Sequence, residues 1–358
     1  MADLNIIDRA AITDRFAPVE IGADLSTLAE PERRALVRLV EAARIMDALF
    51  LRQVWAGTDT LLQRLARDTS GRGRAQLRAF LLNKGPWSRL DANAPFIPGV
   101  PPKPHGANFY PAAATKRDIQ GWLDSLSDGE RRVATGFFTV IRRDPAGRFI
   151  AVPYSQEYQQ ELALAASLLR EAATLTREPS LQHYLRTRAE AFLSNDYYAS
   201  DVAWMELDAA IEPTIGPYEV YEDELFNFKA AFEAFITVRD ADETARLRTF
   251  SSHLQALEDA LPIDPRYRNP RVGSLTPIRV VNVIFTAGDA NRGVQTAAFN
   301  LPNDERVIRE KGSKSVMLRN VQEAKFRIVL EPIARRALTP SAQAAVSFDA
   351  FFTHILLH

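Results

Sequence analysis

Phe348-Asp-Ala-Phe-Phe-Thr-His-Ile-Leu-Leu-His358 is the stretch on which the reading of the fold turns. Phe348, Phe351, Phe352, Ile355 and Leu356 recur at three- and four-residue intervals, the spacing of one helix face. His354 and His358 sit one turn apart on that helix, and side chains at i and i+4 share a face, so the pair has the spacing of a metal clamp. The pattern His-Glu-x-x-His needs Glu at position 355, where the sequence has Ile355. A two-histidine clamp and a packed helix end therefore both remain open.

Composition narrows the setting. The 358 residues suffice for two domains or one large two-lobed unit. An apolar fraction of 46% and a charged fraction of 25% are those of a globular chain. With 44 Lys and Arg against 45 Asp and Glu, no overall field draws the chain to nucleic acid or to a membrane. Cysteine is absent, which leaves histidine and carboxylates as metal ligands. Met1-Ala-Asp-Leu-Asn-Ile-Ile-Asp-Arg-Ala has no basic stretch before an apolar run, and no apolar window is long enough to span a membrane, so a cytoplasmic location is expected.

Going back along the chain, Leu36, Leu39, Val40, Ala43, Met46, Phe50 and Val54 predict a long helix from Pro31. Shorter helices are expected at 58–67, 75–82 and 115–126. Prolines at 95, 98, 101, 102, 104 and 111 forbid regular structure over 95–111, which reads as a surface strap held by its aromatic residues. Phe137–Ile141 and Arg148–Val152 flank Asp144-Pro-Ala-Gly147 and predict a hairpin. Helices follow at 157–176 and from Pro179, the second with Ser180 as its cap. Strands are predicted at 230–238 and 278–285, separated by one amphipathic helix over 240–261. Helical pattern returns at 323–334, and Thr339-Pro340-Ser341 is expected to open the final helix.

Two segments carry chemistry. In Ile215-Gly-Pro-Tyr-Glu-Val-Tyr-Glu-Asp223, alternation after the Gly216-Pro217 turn puts Glu219 and Tyr221 on one strand face. A carboxylate and a phenol so placed can line a cleft as anion and donor; the competing reading is an edge strand with a solvated acidic face, because Glu222, Asp223 and Glu224 follow. In Phe299-Asn-Leu-Pro-Asn-Asp304, the amides of Asn300 and Asn303 can both donate and accept, as holding an extended peptide requires, although asparagine is also an ordinary turn residue.

These segments, with Phe232-Glu-Ala-Phe235, Val316-Met-Leu-Arg-Asn-Val321 and Phe348-Asp-Ala-Phe-Phe-Thr-His354, run in one order through residues 130–358. Together they resemble the dipeptidyl-peptidase III family of zinc metallopeptidases, in the short form of bacteria and of the C-terminal part of plant Nudix hydrolase 3. The resemblance implies a helix-rich, two-lobed α+β fold with a β-barrel in one lobe and the second lobe incomplete. It implies removal of dipeptides from peptides with a free N-terminus. Glu219 would grip the ammonium, Asn300 and Asn303 would hold the peptide backbone, and Tyr221 would act catalytically at the scissile carbonyl.

The family's zinc motif begins with a histidine at the position of His358 and continues with Glu and a second His, so His358 is expected as a metal ligand whose partners are not in this sequence. Zinc is accordingly expected in the full-length family member and not as a stable ligand of this chain. The resemblance also divides the sequence into a mainly helical region 1–130 with a Pro-rich connector at 95–111, a mixed peptide-binding lobe at 131–338, and the start of the zinc-motif helix at 339–358. An inactive N-terminal portion of a peptidase, a peptide-binding remnant or scaffold without catalysis, and a fragment of low stability are the functional alternatives. No Nudix box with its glycine and clustered glutamates occurs.

Overall fold

Residues 9–251, 253–270 and 278–357 are described by the structure, a computed structural model. The expected long helix forms as α1, Glu30–Val54, with Pro31 in its first turn, where the missing N–H breaks no helical bond. Its apolar face, including Leu39, Ala42, Ala43, Met46, Leu49 and Phe50, is fully buried. Each such Leu or Phe contributes about 2 kcal/mol relative to exposure. A second helix, α2 (Gln159–Leu175), packs on it, and a third, α3 (Pro179–Ser194), packs on α2.

Five strands make the main sheet: β1 Thr214–Glu219, β2 Ala231–Arg239, β3 Ile278–Gly288, β4 Ala298–Leu301 and β5 Lys314–Leu318. Their order across the sheet is β1-β2-β3-β5-β4, antiparallel except for the β3–β5 pair. Helix α1 lies against β2 and β3. On that face Phe232 meets Tyr154, Tyr158 and Phe192 at ring distances of 5.5, 5.7 and 6.5 Å. On the other face Phe235 of β2 stacks on Phe299 of β4 at 4.3 Å, although β3 and β5 separate these strands in the sheet. The sheet is therefore curled into a half-barrel around its own side chains, and the fold is α+β.

Register at β2 is pinned from α1. Buried Gln53 donates to the Ala230 carbonyl at 3.2 Å and accepts from the Phe232 N–H at 2.8 Å, satisfying both groups where the strand begins. Next to β2, Gly288 ends β3 at φ 66°, and a Cβ there would stand 2.1 Å from the Phe232 carbonyl oxygen. Only glycine fits.

Several expectations change in detail. The 95–111 segment lacks regular structure beyond a short strand ending at Pro95, but it is not a surface strap: Phe96, Ile97, Phe109 and Tyr110 are buried, and Trp87 donates to the Pro101 carbonyl at 2.9 Å. Ser180 lies inside α3, whose cap position is Glu178, and its hydroxyl bonds the Asp208 carbonyl instead. The 240–261 helix is two pieces, Ala241–Ser251 and Leu254–Asp259. Thr339 caps only the short turn Pro340–Gln343; the final helix starts separately at Phe348 and runs to Leu357. That helix buries Phe352 against Leu247 and Val280, with Phe348 and Leu356 partly covered. His354 is exposed on it, and His358 lies outside the described residues.

Candidate peptide-binding cleft

Glu219 ends β1, which pairs with β2 through a bulge at Tyr218, so that Glu219 stands opposite Ala231. Glu219, Glu233 and Phe235 then share the concave face of the curled sheet. Tyr221 is not on the strand as the alternation predicts. It sits in the turn after β1, exposed, and still reaches the same cavity. Asn300 lies on β4, an edge strand, and Asn303 follows Pro302 just beyond it.

All four residues singled out in the sequence line one cavity of about 730 Å³, together with Arg89, Glu224, Glu233, Phe235, Asp289, Arg292 and Phe299. Asn303 Nδ2 donates to the Tyr218 carbonyl at 2.8 Å, which ties the β4 end to the β1 end across the mouth of the half-barrel. One of its two amide N–H donors is thereby occupied, leaving the other donor and the carbonyl for a ligand.

Of the three acids that follow Tyr221, Glu222 and Asp223 are buried and Glu224 is exposed. Buried Asp223 accepts from the N–H groups of Leu225, Phe226, Phe228 and Lys229 at 2.9–3.2 Å and from the Tyr110 hydroxyl at 2.8 Å, so it shapes the whole β1–β2 connection. Glu222, fully buried, meets Arg89 at 3.1 Å, Lys103 at 3.2 Å and Arg292 at 3.0 Å. Burial alone would push the Glu222 carboxyl up, and the three cations overcome this and hold it below the ordinary range. Arg292 also reaches Asp289 at 2.6 Å.

The cavity wall thus carries Glu219, Glu224, Glu233 and Asp289 against Arg89 and Arg292, and both guanidiniums are already engaged by Glu222. Glu219 forms no ion pair among the described residues; burial pushes its carboxyl up, with Arg292 opposing. Asp289 is pushed up to about 7 by burial, against the pull of Arg292, with Glu222 and Glu219 adding to the rise. Because its folded-state value lies above the unfolded one, the native chain binds the extra proton between about pH 4 and about pH 7, and that stabilisation is lost as pH rises through the window. Asp289→Asn is expected to flatten this fall in melting temperature; equal slopes in both proteins would show Asp289 ionised throughout.

Sequence reasoning passes over Glu233, Asp289 and Arg292. Glu233 is an isolated acid within an apolar strand, and that contrast is the available signal. Asp289 and Arg292 follow β3 in a loop that gives none.

Comparison with known proteins places the chain. A family-wide sequence profile, Peptidase family M49, matches residues 144–358. The chain belongs to peptidase family M49. This M49 chain is 62% identical to dipeptidyl-peptidase III from Corallococcus sp. strain EGB, with a TM-score of 0.89, covering 98% of this chain and 65% of that one. Its likeness to DPP III from Caldithrix abyssi is 47% in identity and 0.93 in TM-score, over 97% of this chain and 66% of that one. Nudix hydrolase 3 of Arabidopsis thaliana is 40% identical over 96% of this chain; the M49 chain spans about half, 51%, of that relative's length. The expected resemblance is thus borne out, and the chain has a peptidase fold.

M49 is a family of metallopeptidases, but no group of three His, Cys, Asp or Glu able to hold a metal occurs among the described residues. Those residues do not by themselves fit a zinc centre. Among the described residues, no helix is long and apolar enough to cross a membrane.

Proposed function

We propose that this chain forms the peptide-aligning part of a zinc-dependent exopeptidase that removes dipeptides from free N-termini. One observation supports this most directly. Glu219, Tyr221, Asn300 and Asn303, drawn from two segments far apart in sequence, line one cavity whose wall has more carboxylates than cations. In this reading the ammonium of a peptide sits at Glu219, which has no competing ion pair among the described residues, and a charged anchor at a fixed depth sets where the chain is cut.

Strand β4 pairs with β5 on one side only, so an extended peptide can add along its outer edge, held by Asn300 and by the remaining donor and acceptor of Asn303. Tyr221, in the turn after β1, offers its phenol toward a carbonyl two residues along the peptide. His358 is assigned here as a metal ligand, with zinc the metal, on the strength of the family motif alone. Hydrolysis requires further ligands beyond the described residues. Peptide binding without hydrolysis is the second reading, supported by the same four residues lining the cavity.

The test is titration of tri- to pentapeptides with free or acetylated N-termini, alongside metal analysis and dipeptidyl-arylamide hydrolysis. Free termini are expected to bind about thirtyfold more tightly, and Glu219→Ala to remove the difference, since a paired charge in a partly buried site is worth about 2 kcal/mol. Equal binding of both peptide forms by the unsubstituted chain would end the proposal.

A further inference from the structure

Glu233 is a buried acid of the cleft with no ion pair among the described residues. The residue is 1% exposed, its Oε1 has no hydrogen-bond partner among the described residues, and it lines the cavity beside Glu219. The residues opposite it on the neighbouring strands are Gly216 on β1 and Gly288 on β3, so no cross-strand side chain covers or bonds its carboxyl group. A buried carboxyl with an unmet acceptor is unfavourable, and a strand flanked by two glycines offers it no neighbouring side chain in compensation.

The charges around it are already committed. From β1 it faces Glu219, and from the loop after β3 it faces Asp289 and Arg292, which reaches Asp289 and Glu222. Arg89, on the far wall, is bonded to Glu222, and Glu224 is bonded to Lys103. On the helix side, Asp47 of α1 is held by Lys84 and by the Gly288 N–H, and Arg188 of α3 by Asp201. No cation among these is left over for Glu233. Burial, then Glu219 and Asp289, push its carboxyl well above the ordinary range, which favours its protonated form in the empty cleft.

We infer that Glu233 is the second acid of the ammonium subsite, and that a peptide's free amino end, on entering between Glu219 and Glu233, expels the proton of Glu233 to solvent. This rests on the proposed role of Glu219. The balance is simple: the ammonium keeps its three protons, Glu233 changes from acid to carboxylate, and one proton passes to the buffer. The entering cation removes the cause of the protonation, because it offsets the repulsion between the two carboxylates. An amine without charge, or an acetylated terminus, lacks this lever. Glu233 then acts as a filter for charged N-termini in addition to holding them.

Calorimetric titration of the 358-residue chain with a tetra-alanine peptide, free or N-acetylated, in two buffers of different protonation enthalpy, tests this directly. The free peptide is expected to release close to one proton, with affinity rising with pH, by up to about tenfold per pH unit, wherever Glu233 is protonated in the free chain and ionised in the complex. Glu233→Gln should bind the free peptide without proton release and with an affinity that has lost this rise with pH. A preference for the free peptide with no proton released by the unsubstituted chain would overturn the inference and leave the role of Glu219 standing. Release that persists in Glu233→Gln and vanishes in Asp289→Asn would assign the proton to Asp289, overturning the inference while the role of Glu219 again stands. Equal binding of free and acetylated peptide would overturn both readings. The proton count is made on the unsubstituted chain, so poor folding of a variant does not blunt the test.

Discussion

Glu222→Ala is expected to cost about 3–5 kcal/mol of stability, the usual effect of removing one member of a fully buried ion cluster. Arg89, Lys103 and Arg292 converge on this carboxylate at 3.0–3.2 Å, and its side chain has no exposed surface. Lys103 would retain Glu224 at 2.9 Å and Arg292 would retain Asp289 at 2.6 Å. Among the described residues Arg89 would keep only the Asn83 carbonyl at 3.2 Å, an uncompensated cation in a wall where it is mostly buried. The released Arg292, which already opposes the upward push on Glu219, would be free to turn to Glu219 and offset the charge proposed to hold the ammonium. Denaturant unfolding should therefore show a lowered midpoint at unchanged slope, and peptide affinity should fall with it. A loss under about 1 kcal/mol would show that water reaches the cluster and screens it, contrary to its burial.

Gly288→Ala is the second large effect. The added methyl would lie 2.1 Å from the Phe232 carbonyl oxygen and 3.0 Å from the Glu233 Cα, both backbone atoms of β2. Neither can swing aside as a side-chain tip could. With φ at 66° the substituted residue would also be strained in its backbone, so the combined cost is about 3 kcal/mol or more. Relief requires β2 and β3 to part where Glu233 is held. The expected result is a lowered melting temperature with faster amide exchange along β2, and peptide binding reduced beyond what the residual stability explains. An unchanged melting temperature would mean that the β3 terminus moves freely, which its N–H bond to Asp47 at 2.5 Å opposes.

Periodic elements are well legible in the sequence, and the meeting of distant segments only in part. The α1 face and the Thr58–Arg67 helix repeat every three to four residues, so their spans can be read directly. Alternation continues through Tyr221 and so predicts a strand there, but the bulge at Tyr218 and the turn that Asp223 organises end β1 at Glu219. No local pattern reports a tertiary hydrogen bond such as Gln53 to Phe232 or Tyr110 to Asp223. The terminal phenylalanines predict a helix correctly, while Thr339 misleads because a good cap can close a single turn as well as a long helix. Glu219, Asn300 and Asn303 are recognisable through their motifs. Glu233 lies in one of the segments that carry the resemblance, but its place beside Glu219 is visible only once the strands are paired and the glycines on either side are seen to face it.

The stacked rings of Phe235 and Phe299 bear on how such a groove can change over time. They act as a spacer between two strands that never touch through their backbones, so the gauge of the groove is a matter of ring thickness and not of loop length. Insertions in the surrounding turns would alter its rim and leave its bore as it is. A lineage that needs to admit bulkier or slimmer ligands has a short path to do so, through these two positions.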